Sequence, residues 1–206
     1  MGDGKDAQGV TADETIALPE IGVRHLRVTI ANKQGSSLIV HRFSEKSKKM
    51  MADKMGKKAT GPRKARKPKD LYEQSLYFDA DGNLAIPGDS LRCVAIAAAE
   101  FAGVPVEMVK AGLFIVEEYP RIYGRARQRE DHAVNRGYVR DLRIRAEFID
   151  WRVAFTVEYD PALLTAQQIC ALYQRAGFSI GICDWRPERR GAGRHGRFEL
   201  KDVKSA

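Results

Sequence analysis

The sequence predicts an α+β chain, an antiparallel sheet with two helices on one face and long basic insertions between its elements. Three observations predict it. Apolar residues alternate over 23–30 and again over 142–159, the two-residue period of strands with one buried face. Two other stretches, 90–102 and 165–176, carry apolar residues at helical spacing. With the insertions set aside, the elements run strand, helix, strand, strand, helix, strand. A chain of 206 residues that is 44% hydrophobic has material for one core.

Residues 1–20 are polar and acidic and read as a flexible arm ahead of a single domain over 21–206. Leu26, Val28 and Ile30 mark the first core strand, and Leu38, Val40 and His41 a second extended segment within 36–43. A basic insertion occupies 44–70. Its Lys- and Met-rich part, 45–57, suits a helix, whereas Thr60-Gly61-Pro62 and Pro68 break any helix across 60–69 and leave a mobile basic loop. Leu71 to Phe78 reads as a strand, followed by a turn at Asp79-Ala80-Asp81-Gly82-Asn83, whose Asp-Gly pair is a hairpin signal. The turn lacks the further acids and downstream Glu that a calcium loop needs.

The first helix is expected over Ser90–Ala102, with Leu91, Val94, Ala95, Ala98 and Phe101 on its apolar face and Gly103 with Pro105 stopping it. A short strand follows over 112–116, then an Arg-rich insertion over 120–140. Leu142, Ile144, Ala146 and Phe148 share one parity and Trp151, Val153, Phe155, Val157 and Tyr159 the other, so a turn or bulge falls near Ile149-Asp150. Thr165 and Gln168 have capping-box spacing at the second helix, whose buried stripe is Ile169, Leu172, Tyr173 and Ala176. Gly177 is expected to close it in a left-handed conformation, and Phe178 to Cys183 to form the last strand. This order is the ferredoxin-like or RRM-like split βαβ arrangement, whose exposed sheet face often receives single-stranded RNA, although the fold alone fixes no function. No aromatic pair of the usual RRM type stands on the central strands.

Ile86-Pro87-Gly88-Asp89-Ser90-Leu91-Arg92 delivers a tight turn straight into a helix start. Unpaired N–H groups there suit a phosphate, with Ser90 and Arg92 as further contacts; the same string also suits an ordinary capped helix. The string resembles the Ile-Pro-Gly-Ser-Ser-Leu-Lys-Gly signature that opens the first core helix of RAMP proteins, the RNA-gripping backbone subunits of CRISPR surveillance complexes. That family has Ser where this chain has Asp89, and Gly where it has Cys93. The passage 181–200 also resembles the glycine-rich loop near the C-terminus of RAMP proteins. Here Gly191, Gly193 and Gly196 allow close backbone approach, and Arg186, Arg189, Arg190, Arg194, His195 and Arg197 offer phosphate contacts. Trp185 suits either base stacking or rim packing.

Charge points the same way. Residues 45–70 hold eleven basic and three acidic side chains, which equals the whole +8 of the chain. Arg63, Lys64, Arg66, Lys67 and Lys69 are its candidate contacts, and Arg121, Arg125, Arg127 and Arg129 those of the Arg-rich passage. A solvated loop without a specific partner is the other reading of the basic block.

The sequence offers no dinucleotide fingerprint and no Gly-Lys-Ser/Thr phosphate loop; it holds no metal spacing among its four His and three Cys, and no nucleophile elbow. No enzymatic activity, cofactor or metal is therefore expected. An odd cysteine count, no membrane-length apolar run and no signal-peptide pattern point to a soluble cytoplasmic protein. The resemblance implies an RNA-binding subunit that oligomerises along a single-stranded guide RNA with copies of itself and other ribonucleoprotein subunits. Some RAMP subunits cut RNA with a loop aspartate; Asp131 or Asp141 is a conceivable counterpart, but no matching motif licenses the transfer. The alternatives are a single-strand DNA binding or annealing protein of a viral recombination system, a stand-alone viral relative acting as a decoy, and a basic surface for an acidic protein.

Overall fold

A computed structural model of the chain describes residues 20–42, 51–53, 55–56, 67–134, 140–188 and 193–206. Its strands are β1 (Arg24–Asn32), β2 (Leu38–Val40), β3 (Tyr77–Phe78), β4 (Leu84–Ala85), β5 (Leu113–Ile115), β6 (Ile122–Val134), β7 (Arg140–Tyr159) and β8 (Phe198–Ser205). The helices are α1 (Pro68–Ser75), α2 (Gly88–Ala98), α3 (Val106–Gly112) and α4 (Ala166–Arg175). The architecture is mixed α and antiparallel β.

The strand β7 organises the sheet. Its second half pairs with β1 on one side and β5 on the other, β8 lies beyond β1, and its first half pairs with β2 and β6. All these pairings are antiparallel. Leu26, Val28 and Ile30 of β1 and Trp151, Val153, Phe155 and Val157 of β7 are buried together with Leu91, Val94, Ala95 and Ala98 of α2 and Ile169, Leu172 and Tyr173 of α4. The two helices meet over this face. The Tyr173 ring stands edge-on to Phe155 at 5.3 Å, and its hydroxyl donates to the Leu91 carbonyl at 3.4 Å.

Several sequence expectations hold. The capping box at Thr165 and Gln168 is present in both directions. The Asp79 carboxylate accepts from the Asp81 and Asn83 amides, building the β3–β4 turn. The parity break is a bulge within one continuous β7, where Asp150 takes a left-handed φ of 51°.

Others are corrected. Residues 68–75 form α1 where a strand was expected from Leu71, because Pro68 serves as a helix-starting residue and only 77–78 pair as strand. The first core helix stops at Ala98, and Phe101 lies exposed in a short 3-10 turn rather than on the apolar face. Residues 106–112 are helical before the short strand begins. The Arg-rich passage expected as an insertion is, over 122–134, the strand β6. Residues 176–180 form a wide helical turn instead of the last strand; the left-handed glycine is Gly181, φ 72°, not Gly177. The last strand is β8, so the glycine-rich loop precedes it. Of the basic insertion, 51–53 and 55 are helical, Gly56 ends that turn, 67–70 form the start of α1 with its N-cap, and the remainder of 44–70 lies outside the described residues, as does 1–19. Among the described residues no helix is long and apolar enough to cross a membrane.

Candidate nucleic-acid interface

The bulge at Asp150 adds one residue to β7, so Arg145 and Glu147 before it face the same side as Arg152, Ala154, Thr156 and Glu158 after it. This is the face away from the two core helices. Arg27, Thr29 and Ala31 of β1 stand opposite Thr156, Ala154 and Arg152, and Arg127, Arg129 and Tyr123 of β6 opposite Glu147, Arg145 and Arg152. Thr29, Ala31 and Ala154 are small side chains on this face, between two charged ends.

One end is a closed ion network. The Arg145 side chain is 2% exposed and donates to Asp131 Oδ2 at 2.8 Å and Asp184 Oδ2 at 2.9 Å. Burying an unpaired guanidinium would cost several kcal/mol, so the two carboxylates are what keep it there. Arg129 donates to Asp131 at 2.9 Å and to Glu147 at 3.0 Å, and Arg127 reaches Glu147 at 2.8 Å. The Ser37 hydroxyl donates to Glu147 at 2.6 Å and lies 2.9 Å from His195 Nδ1. Burial pushes the Glu147 carboxyl upward, but Ser37, Arg127 and Arg129 outweigh it and hold the group below its ordinary range. Burial, followed by the Arg129 charge, holds His195 low; burial also lowers His41, whose ring lies 3.8 Å from Asp184.

Trp185 roofs this network. Its ring lies 5.1 Å from the Arg145 guanidinium and edge-on to His195 at 6.4 Å, yet 41% of the residue stays exposed. Trp185 (φ 57°) and Cys183 (φ 61°) are both left-handed, a strain of about 1–3 kcal/mol each that surrounding bonds must impose. Those bonds are present: Asp184 N donates to the Ile39 carbonyl at 3.0 Å, His195 N to the Trp185 carbonyl at 3.2 Å, and Gly196 N to the Ser37 carbonyl at 2.8 Å. Gly193 fits only because it lacks a side chain; a Cβ there would stand 1.9 Å from the Trp185 carbonyl oxygen. Gly193 and Gly196 thus serve close packing around the indole.

Toward the middle, Arg125 is 81% exposed and, among the described residues, pairs with Asp150 at 3.2 Å; Arg127 is 60% exposed. Tyr123, 42% exposed, has Arg121 at 4.9 Å and Arg152 at 5.1 Å against its ring. The far end is neutralised: Glu117 accepts from Arg27 and from the Thr156 amide and hydroxyl, and His25 meets Glu158 at 3.2 Å.

The sequence-expected residues divide accordingly. Arg121, Arg125, Arg127, Arg129, Trp185 and the buried His195 gather on or beneath this face. Arg194 is exposed beside them, its carbonyl accepting from Ser36. At the helix start the chain itself pairs part of the donor set. Gly88 N donates to the Glu118 carbonyl at 2.7 Å, and the Ser90 hydroxyl to Pro87 at 2.6 Å. Arg92 donates to the Leu113 and Lys110 carbonyls at 2.8 and 2.6 Å and lies over Phe114. Gly88 is required there because a Cβ would come within 2.2 Å of the Glu117 carbonyl oxygen. Arg186 is held by Glu188, and Arg197 by the Phe178 carbonyl and ring. Lys67 is exposed at the start of α1, and Lys69 lies 4.0 Å from Glu73. Arg63, Lys64, Arg66, Arg189 and Arg190 lie outside the described residues. Sequence reasoning missed Arg152 and the pairing roles of Arg145, Glu147 and Ser37; the only available signal was the Arg-x-Arg-x-Arg alternation over 125–129, which is a strand period.

No protein-family model and no curated protein matches the chain. Among solved structures, the chain is similar to one in a cryo-EM structure of the Type III-B Cmr-beta bound to cognate target RNA, with a TM-score of 0.56 and 11% identity. The match covers 89% of this chain and 60% of that one, so this chain spans less than two thirds of its length. The likeness is one of fold.

Proposed function

We propose that this protein is a RAMP-type RNA-binding subunit of a CRISPR-type ribonucleoprotein, holding a single-stranded guide RNA across the outer face of its sheet and repeating along it. The observation that carries the reading is Trp185, an exposed indole held in a strained backbone on a buried guanidinium, beside the exposed Arg125 and Arg127 on the same sheet face. A fixed aromatic next to exposed cations is what base stacking and phosphate neutralisation require. The order β8–β1–β7, with β5 and β6 on the far side of β7, supports a ferredoxin-like core. The fold likeness to a chain of an RNA-bound Cmr-beta assembly supports the same class. The reading assigns no cleavage to the chain: Asp131, whose carboxylate is bonded to both Arg129 and Arg145, is a structural partner.

The test is to isolate the protein from its host without nuclease and sequence the nucleic acid that travels with it. Short RNAs of uniform length with repeat-derived ends are expected. Heterogeneous DNA would replace the reading with strand annealing, and protein free of nucleic acid but bound to an acidic protein would overturn both.

A further inference from the structure

We propose that Tyr123, with the guanidiniums of Arg121 and Arg152 against its ring, is a second base-stacking position, so that the sheet grips an unpaired strand at two separated points. The inference rests on the RNA-binding reading above and adds its geometry.

Tyr123 contributes little to the core. Its neighbour Ile122 is buried, whereas the Tyr123 ring stands on the outer face in the paired part of β6, opposite Arg152. A rigid strand therefore presents a large exposed aromatic to solvent. The charge around it is equally specific. On this face Arg27, Arg129 and Arg145 are all spent on carboxylates, while neither Arg121 nor Arg152 makes a salt bridge among the described residues. Their guanidinium carbons lie 4.9 and 5.1 Å from the tyrosine centroid, a cation and π surface matched to a base and its phosphate.

Position relative to Trp185 defines the occupant. Arg152, across from Tyr123, and Arg145, beneath Trp185, lie on one face of β7 about 20 Å apart at roughly 3.3 Å per residue. Arg125 and Arg127, each bonded to one carboxylate but 81% and 60% exposed, fill the interval, and Glu117 with Glu158 closes the face beyond Tyr123. A track with aromatic stations at both ends and cations between them fits a single strand whose bases are turned to the protein. A duplex hides its base faces and cannot use either ring.

The test measures binding of short oligouridine RNA, and of a fully paired RNA of the same length, by fluorescence anisotropy. Tyr123→Ala is expected to weaken oligouridine binding roughly ten- to hundredfold while leaving the thermal midpoint unchanged. Tyr123→Phe is expected to bind like wild type, and the paired RNA to be insensitive to the substitution. A second variant, Tyr123→Trp, is expected to bind oligouridine with quenching of the new indole's emission. Wild-type binding with an unaffected Tyr123→Ala and an unquenched Tyr123→Trp would overturn the second station and leave the RNA reading standing. No oligouridine binding by wild type would overturn both.

Discussion

Arg145 and Arg125 belong to the same β6–β7 hairpin and the same face, yet they do opposite work. Arg145 is almost fully buried and shared between two carboxylates under an indole; Arg125 is 81% exposed and holds one exposed acid. Net charge counts them equally. What separates them is desolvation: a guanidinium taken out of water needs bonded partners and becomes a structural strut, whereas one left in water keeps its donors available to a phosphate. The Arg-rich passage is therefore part buried framework and part exposed cation surface.

Substituting the strut should produce the largest effect. Arg145→Met strands Asp131 and Asp184 without their shared cation and is expected to cost about 3–5 kcal/mol in urea unfolding. A loss below about 1 kcal/mol would break the distinction just drawn. Next is Gly193→Ala, whose Cβ collides with the Trp185 carbonyl; about 1–3 kcal/mol should be lost, and the indole emission should shift as the loop moves. Glycine at 193 would be incidental if emission and stability both stayed at the wild-type level.

Acid should weaken the framework before it affects the exposed arginines. His195 and His41 both titrate below the ordinary 6.5 in the folded protein, so the unfolded chain takes up their protons first as pH falls. Their contribution is complete above about pH 6.5 and declines below it, with a thermal midpoint dropping by about 2–4 °C for each kcal/mol lost. Glu147 adds a second decline below its ordinary 4.5, since its folded value is depressed and its stabilisation is present only above that pH. His195→Gln should flatten the first decline. A midpoint constant from pH 7.5 to 5.5 in wild type would contradict the lowered titration of the two rings.

The smallest stability effect belongs to the contact surface. Arg125→Ala should change unfolding by no more than about 0.5 kcal/mol, yet reduce the slope of log affinity against log salt by about 0.7 on single-stranded RNA. An unchanged slope would remove Arg125 from the track and narrow the interface to its aromatic ends.

What the sequence determined by itself were the elements that bury a complete face or carry local turn chemistry. The alternation of Leu26, Val28 and Ile30, the parity reversal at Ile149-Asp150, the Thr165–Gln168 box and the Asp79 turn are each written in residues that touch one another or share one core. Tertiary structure decided the rest. β6 and β8 carry charged residues through most of their length because the hairpin runs beyond the core and β8 lies at the sheet edge; β7 and β1 supply the backbone partners that make them strands. The fate of each arginine was likewise undecided until register set Arg145 beside Asp131 and a loop brought Asp184 and Trp185 over it. Periodicity records burial against a core, whereas the pairing of a charge depends on residues far apart in sequence that only the folded chain brings together.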